Sequence, residues 1–232
     1  MAASRQHWTS NAIMVGDAAP RILSVPMITA ALSDRRKPPA RGTVFRWIRG
    51  QVSVGALRPL TRGLYVNCLA RPLPSVAEAA GWIRSGAIVS LQTVLGESSV
   101  TNKNPEIVTC VIPIRAGIAA SSRPVRTGDA EFRFHAMPDR LLNDEAGSVD
   151  DRLDGDVLYA RATPEKALLD RIYLGVSPHT RLAGPPLDID LRRLDMKRLS
   201  RLAVAMKMAR ELKDYLVRHE RADSTSGCEA GA

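Results

Sequence analysis

Cationic side chains are concentrated in the first third of the chain, where they are placed to bind a polyanion. Residues 1–75 contain eleven lysine and arginine residues and only two acidic residues, Asp17 and Asp34. The rest of the chain carries equal numbers of basic and acidic groups, so the whole net charge of +9 arises in this segment. Such asymmetry is typical of a nucleic-acid-binding segment joined to a neutral partner. The alternative is a basic surface that serves only solubility.

The positions of these cations predict two kinds of contact with double-stranded DNA. Side chains on one helix would read base edges, and cations around that helix and on a hairpin would hold phosphates. No acidic residue lies between Asp34 and Glu78 to neutralise them. The predicted base-reading residues are Thr43, Arg46, Arg49 and Gln51, and the predicted phosphate-binding residues are Arg36, Lys37, Arg41, Arg58 and Arg62. The other interpretation of each is an ordinary solvent-exposed position on a helix or turn.

The elements that must position these residues resemble a winged helix-turn-helix over residues 1–72. A first helix is predicted around residues 8–15, and Ser24 caps a second, with a proline in its first turn. After a basic turn, Thr43 is the predicted N-cap of a third helix, whose apolar residues recur at helical spacing. Two short strands follow around a turn at Arg62-Gly63. A helix fits the major groove, and the hairpin supplies the wing.

Residues 75–221 are predicted to form a mixed α/β domain after a proline-containing linker at 71–74. The fold class is therefore α+β. The predicted elements are helical and apolar segments at 75–85 and 88–95, strands at 107–114 and 131–135, a helix starting at Thr163 and ending near Gly175, and a long amphipathic helix over 195–219. Residues 222–232 are predicted to be a disordered tail.

The sequence lacks the patterns on which common enzyme chemistry depends. Its three cysteines have no C-x-x-C spacing, its four histidines have no metal-ligand spacing, and it contains no phosphate loop, nucleophile elbow or dinucleotide fingerprint. We therefore predict a protein without catalytic activity, cofactor or metal. Two alternatives stay open: a metal-dependent nuclease using Glu211-Leu212-Lys213, and a protein-interaction module that does not bind DNA. The cysteine usage and the lack of a long apolar run favour a cytoplasmic protein away from the membrane.

Three motifs together resemble the AbiEi-type antitoxin family of bacterial type IV toxin-antitoxin systems. They are Arg58–Asn67, Ile88–Leu95 and Ala162–Asp170, which includes the run Thr-Pro-Glu-Lys-Ala-Leu-Leu-Asp. The resemblance implies an N-terminal winged helix that binds repeats in its own promoter, and a C-terminal antitoxin domain. It also implies a nucleotidyltransferase-like toxin as functional counterpart, countered without a stable complex. We further predict a monomer in solution in preference to a stable oligomer.

The third motif has two possible roles. Its polar members, Thr163, Pro164, Glu165, Lys166 and Asp170, are the predicted motif residues of the antitoxin domain. A purely structural interpretation is a capped helix packed on the sheet, because threonine is a good N-cap, proline suits the first helical position and glutamate suits the first turn. The other interpretation is a contact surface for antitoxin activity.

Overall fold

A computed structural model provides the structure of the chain. It describes residues 14–16, 19–33, 38–102, 106–114, 123–128, 130–142, 149–150, 159–178, 182 and 184–229, with the backbone alone at 149–150 and 223–229. The described part is mixed α+β, as predicted, with seven α-helices and two sheets. Most of the predicted first helix lies outside the described residues, as do Arg36 and Lys37.

The chain divides into two compact units. The first comprises Met1–Ile83 and Val125–Glu131, and the second comprises Arg84–Pro124 and Phe132–Ala232. The first unit contains, in order, β1 (Ile22–Ser24), α1 (Val25–Leu32), α2 (Arg41–Ser53), β2 (Leu57–Thr61), β3 (Leu64–Asn67), a 3₁₀ turn (Val76–Ala79) and α3 (Ala80–Ile83). Its three strands form an antiparallel sheet in the order β1-β3-β2, with Ile22 opposite Val66 and Leu57 opposite Asn67.

The boundary between the units differs from the predicted one. The proline-containing segment 71–74 suggested a linker, but the first unit continues to Ile83. The reason is a contact between distant residues: the Arg21 Nε and Nη2 atoms each donate to a Glu78 carboxylate oxygen at 2.8 Å, and Arg21 Nη1 donates to the Pro72 carbonyl at 2.7 Å. These bonds hold residues 72–78 on the first unit.

A side-chain cap marks the start of α1, and a backbone carbonyl marks the start of α2. The Ser24 hydroxyl accepts a hydrogen bond from the Met27 N–H at 3.4 Å, and Pro26 lies in the first turn of α1, as predicted. Helix α2 begins at Arg41 rather than after Thr43, because the Ala40 carbonyl already accepts from the Thr43 N–H at 2.9 Å. No side chain caps α2. Its inner face packs into the core of the unit, which includes Leu23, Ile28, Val44, Ile48 and Leu57.

Gly50 lies in the interior of α2 and weakens it. A Cβ atom added there would meet nothing within 4 Å. Because glycine in a helix interior costs roughly 0.5 to 1 kcal/mol relative to alanine, we expect Gly50→Ala to raise the free energy of unfolding by about that amount. Urea unfolding followed by tryptophan fluorescence tests this, since all three tryptophans lie in residues 8–82. A loss of stability would contradict the helical environment described for Gly50.

The second sheet is mixed, with the strand order β6-β7-β5-β4-β9-β8. Its strands are β4 (Ile88–Val89), β5 (Ile107–Pro113), β6 (Val125–Arg126), β7 (Glu131–Met137), β8 (Val149–Asp150) and β9 (Arg161–Ala162). Strand β4 pairs antiparallel with β5 and parallel with β9. The helices of this part are α4 (Leu91–Glu97), α5 (Pro164–Val176), α6 (Met196–Ala205) and α7 (Ala209–Glu229), with 3₁₀ turns at Asp139–Leu141 and Leu191–Arg193.

The long amphipathic helix predicted over 195–219 is two helices, and the predicted disordered tail is largely helical. Helix α6 ends at Ala205, and Lys207, two residues later, is left-handed with φ of 57°. The Lys207 N–H donates to the Val204 carbonyl at 3.0 Å and the Met208 N–H to the Ala203 carbonyl at 2.7 Å, which is a Schellman motif. Helix α7 then continues to Glu229. The segment after Ala222 is polar but contains no proline, the residue that breaks a helix most strongly.

Candidate nucleic-acid interface

Helix α2 has one buried face and an opposite face that carries two arginines. Val44 and Ile48 are buried, whereas Arg46 and Arg49 are exposed and lie three residues apart on the outer face. Thr43 is exposed on one flank. The Arg49 Nε atom donates to the Phe45 carbonyl at 3.4 Å, so its side chain lies against its own helix. Three of the four predicted base-reading side chains are therefore accessible.

The fourth predicted base-reading residue, Gln51, cannot contact a base because its side chain is buried. It is only 8% exposed and lies on the buried face of α2 with Val44 and Ile48. These three residues follow the i, i+4, i+7 spacing of a single helix face. The prediction treated Gln51 as a polar and hence outward residue, but helical periodicity places it inside. Gln51 is not a base-reading residue in this structure.

Two of the predicted phosphate-binding residues line a groove between α2 and the β2–β3 turn. Arg41, in the first turn of α2, and Arg62, in the turn, both line it, together with Phe45 and Tyr65. The Arg41 guanidinium lies over the Phe45 ring, 5.5 Å from its centroid. The tight turn after Arg62 requires a left-handed residue, and Gly63, at φ of 80°, supplies it. Arg58 does not line this groove; it is half-buried on β2, opposite Val66.

The described stretch 38–83 has no exposed acidic side chain. Its single acidic residue, Glu78, is 5% exposed and is held by Arg21. Arg41, Arg46, Arg49 and Arg62 are exposed. Because the one carboxylate of this stretch is buried and already neutralised, the exposed cations leave a positive field over α2 and the adjacent turn.

The third motif forms a buried polar network in the second unit. The Thr163 hydroxyl caps α5 by accepting from the Lys166 N–H at 3.3 Å, and Pro164 occupies the first turn. Lys166 forms an ion pair with Asp170, and both side chains are almost completely buried. The Ser90 hydroxyl donates to the other Asp170 oxygen at 2.7 Å.

The glutamate of the same motif fixes a second helix. The Glu165 carboxylate accepts from the Asp195 N–H at 3.0 Å, and Asp195 in turn caps α6 by accepting from the Lys197 and Arg198 N–H groups. The motif therefore joins α4, α5 and α6 from inside, which favours the structural interpretation over a contact surface. Sequence reasoning missed the partnership of Asp170 with Ser90 because 80 residues separate them. The sequence signal that could have pointed to this contact is Ser90 itself, a serine directly after the apolar strand β4.

His135 on β7 is a half-buried histidine whose charge is disfavoured. Burial, followed by the nearby charges of Arg171 and Arg133, lowers the pKa of His135 below its ordinary 6.5. Its unfolded form therefore binds a proton at a higher pH than its folded form. We therefore expect the free energy of unfolding to fall as the pH drops below about 6.5. The contribution of His135 to this fall should be absent in His135→Gln. An NMR titration of the ring resonances tests the direction, and a pKa at or above 6.5 would contradict it.

Several features bear on catalytic alternatives. Glu211 and Lys213 lie on α7. Among the described residues, no group of three histidine, cysteine, aspartate or glutamate side chains is arranged to hold a metal ion. Burial raises the pKa of the Cys110 thiol to about 12, so this cysteine is not a thiolate at neutral pH. No helix in the described ranges is both long and apolar enough to cross a bilayer.

Comparison with known proteins supports the fold class alone. No family model matches the chain, and no curated protein matches it. Among solved structures, the chain is similar to the crystal structure of the Rv2827c protein from Mycobacterium tuberculosis, with 15% sequence identity and a TM-score of 0.50. The similarity covers 91% of this chain and 77% of that chain. At this identity it describes a shared α+β fold.

Proposed function

We propose that the first unit is a winged helix that binds double-stranded DNA, with α2 in the major groove and the β2–β3 hairpin as the wing. The observation that carries this proposal is the charge arrangement: exposed arginines on the outer face of α2 and at the hairpin turn, with no exposed carboxylate in the described stretch 38–83. A surface that only served solubility has no need to concentrate one sign of charge on one helix and one turn.

The dimensions of α2 suit this role. A 13-residue helix is about 20 Å long and, with side chains, about 10 to 12 Å wide, which matches the width of the major groove. Arg46 and Arg49 lie one turn apart on the outer face, where each guanidinium can donate two hydrogen bonds to a guanine edge. Arg41 and Arg62 flank that face and would contact the phosphates on either side.

We further propose that the protein represses its own promoter and acts as the antitoxin of a type IV toxin-antitoxin system. Support comes from the resemblance of its three motifs to the AbiEi-type family. Because the third motif is buried in this chain, antitoxin activity would depend on a different surface of the second unit. In this scheme the nucleotidyltransferase-like toxin is a functional counterpart without a stable complex, and the protein is a cytoplasmic monomer.

A mobility-shift titration tests the DNA-binding proposal directly. The purified full chain is titrated on the DNA upstream of its own gene and on a scrambled duplex of equal length, at two salt concentrations. We expect preference for the upstream DNA that persists at the higher salt, because base contacts are less salt-sensitive than phosphate contacts. Equal, salt-sensitive binding would contradict sequence recognition, and no binding would contradict the winged helix. Cleavage that stops on addition of a chelator would instead indicate the nuclease.

A further inference from the structure

A cavity in the second unit has no role in the proposed DNA binding. It lies between the end of α5 and the turn that joins α6 to α7, and its volume is about 600 Å³, within the usual range for small-molecule sites. Arg140, Tyr173, Met206, Lys207, Met208 and Glu211 contribute to its lining. We infer that it binds a nucleoside diphosphate.

Two cations line this cavity without forming an ion pair to its one carboxylate. Arg140 and Lys207 are exposed, and neither has an ion pair within the described ranges of the chain. Glu211 lines the same cavity but is not within ion-pair distance of either cation. A diphosphate group bound between these side chains would accept charge-assisted hydrogen bonds from both.

The rest of the lining suits the nucleoside half of such a ligand. Met206 and Met208 offer polarizable thioethers and Tyr173 an aromatic ring, which favour a flat apolar group. The Glu211 carboxylate accepts hydrogen bonds, and ribose hydroxyls and base amino groups donate them. A simple anion such as phosphate would use the cations and leave the apolar wall and the carboxylate without partners.

Lys207 also occupies a backbone position that favours glycine. It is the left-handed residue of the Schellman motif that ends α6, with φ of 57°. A lysine there is strained relative to glycine and lowers the stability of the protein. The same side chain lines the cavity. This gives a variant in which stability and binding change in opposite directions.

Isothermal titration calorimetry of the full chain tests the inference. The probes are ADP, GDP, CDP and UDP, with inorganic pyrophosphate and adenosine as the separate halves of a ligand. We expect at least one diphosphate to bind more tightly than pyrophosphate and adenosine do. Pyrophosphate that binds as tightly as the best nucleotide would overturn the nucleoside assignment, and no binding by any probe would overturn the site.

Variants locate the binding and separate it from folding. Lys207→Gly is expected to weaken the nucleotide about 10-fold or more while raising the midpoint of thermal unfolding by about 2 to 4 °C. Arg140→Ala should weaken it similarly. Arg210→Ala is the matched control, because it removes a charge from an exposed neighbour that does not line the cavity. Arg62→Ala controls for polyanion binding by the first unit. An unchanged affinity in both Lys207→Gly and Arg140→Ala would overturn the inference.

Discussion

Replacing Asp170 by alanine is expected to lower the free energy of unfolding of the second unit by about 3 to 5 kcal/mol. The substitution leaves the ammonium of Lys166, a residue that is only 2% exposed, without its carboxylate, and it removes the acceptor of the Ser90 hydroxyl. A buried charge without a partner retains its full desolvation cost, so the effect exceeds that of an ordinary hydrogen bond. Urea unfolding followed by far-UV circular dichroism measures this loss, because α4 to α7 hold most of the described helical residues.

The chain offers a matched control for this measurement. Arg210 and Asp214 form an ion pair at 4.0 Å with the same four-residue spacing, but both side chains are exposed. Asp214→Ala should therefore cost about 0 to 1 kcal/mol. The double variant Lys166→Met, Asp170→Leu should recover most of the loss, because it removes both charges. Equal effects of Asp170→Ala and Asp214→Ala would contradict the buried pair.

Arg46→Ala is expected to reduce discrimination between the upstream DNA and a scrambled duplex by about 1 to 3 kcal/mol. The reason is that a base-reading arginine contributes to one sequence and little to others. Arg46 is exposed on the outer face of α2, so the substitution should change the stability of the protein by less than about 0.5 kcal/mol. Mobility-shift titrations of both duplexes at one salt concentration give the difference in affinity.

Arg62→Ala provides the contrast. Arg62 lies in the hairpin turn, where it would contact phosphates, so its loss should weaken both duplexes alike. The slope of log affinity against log salt should fall by about one unit. If Arg46→Ala and Arg62→Ala lose the same affinity on both duplexes, the division into base-reading and phosphate-binding residues is wrong.

Local sequence signals predicted two features of the first unit correctly. The Ser24 cap with Pro26 in the first turn and the turn at Arg62-Gly63 depend on neighbours within four residues, and the structure places them as predicted. The predicted start of α2 was wrong by three residues because Ala40, a residue without a capping side chain, accepts the first helical bonds through its backbone. Thr43 was the better cap on propensity alone.

Contacts between distant residues were beyond sequence reasoning. Nothing near Glu78 in sequence shows that its partner is Arg21, 57 residues earlier, and nothing near Asp170 shows Ser90. The base-reading prediction for Gln51 was wrong for a different reason. The helical period that placed Val44 and Ile48 inside also applies to Gln51, but its polar side chain suggested exposure. The sequence predicted one long helix instead of two because the left-handed position between them, which is usually glycine, is Lys207 in this chain.

The two units interleave along the chain, and this has a consequence during synthesis. The first unit includes Val125–Glu131 as well as Met1–Ile83. A ribosome that adds roughly 5 to 20 residues per second makes the intervening residues in about 2 to 10 s. During that time the nascent chain holds most of the first unit but not its last segment. Helix α2 and its exposed arginines are therefore synthesised several seconds before the last segment of the unit that carries them.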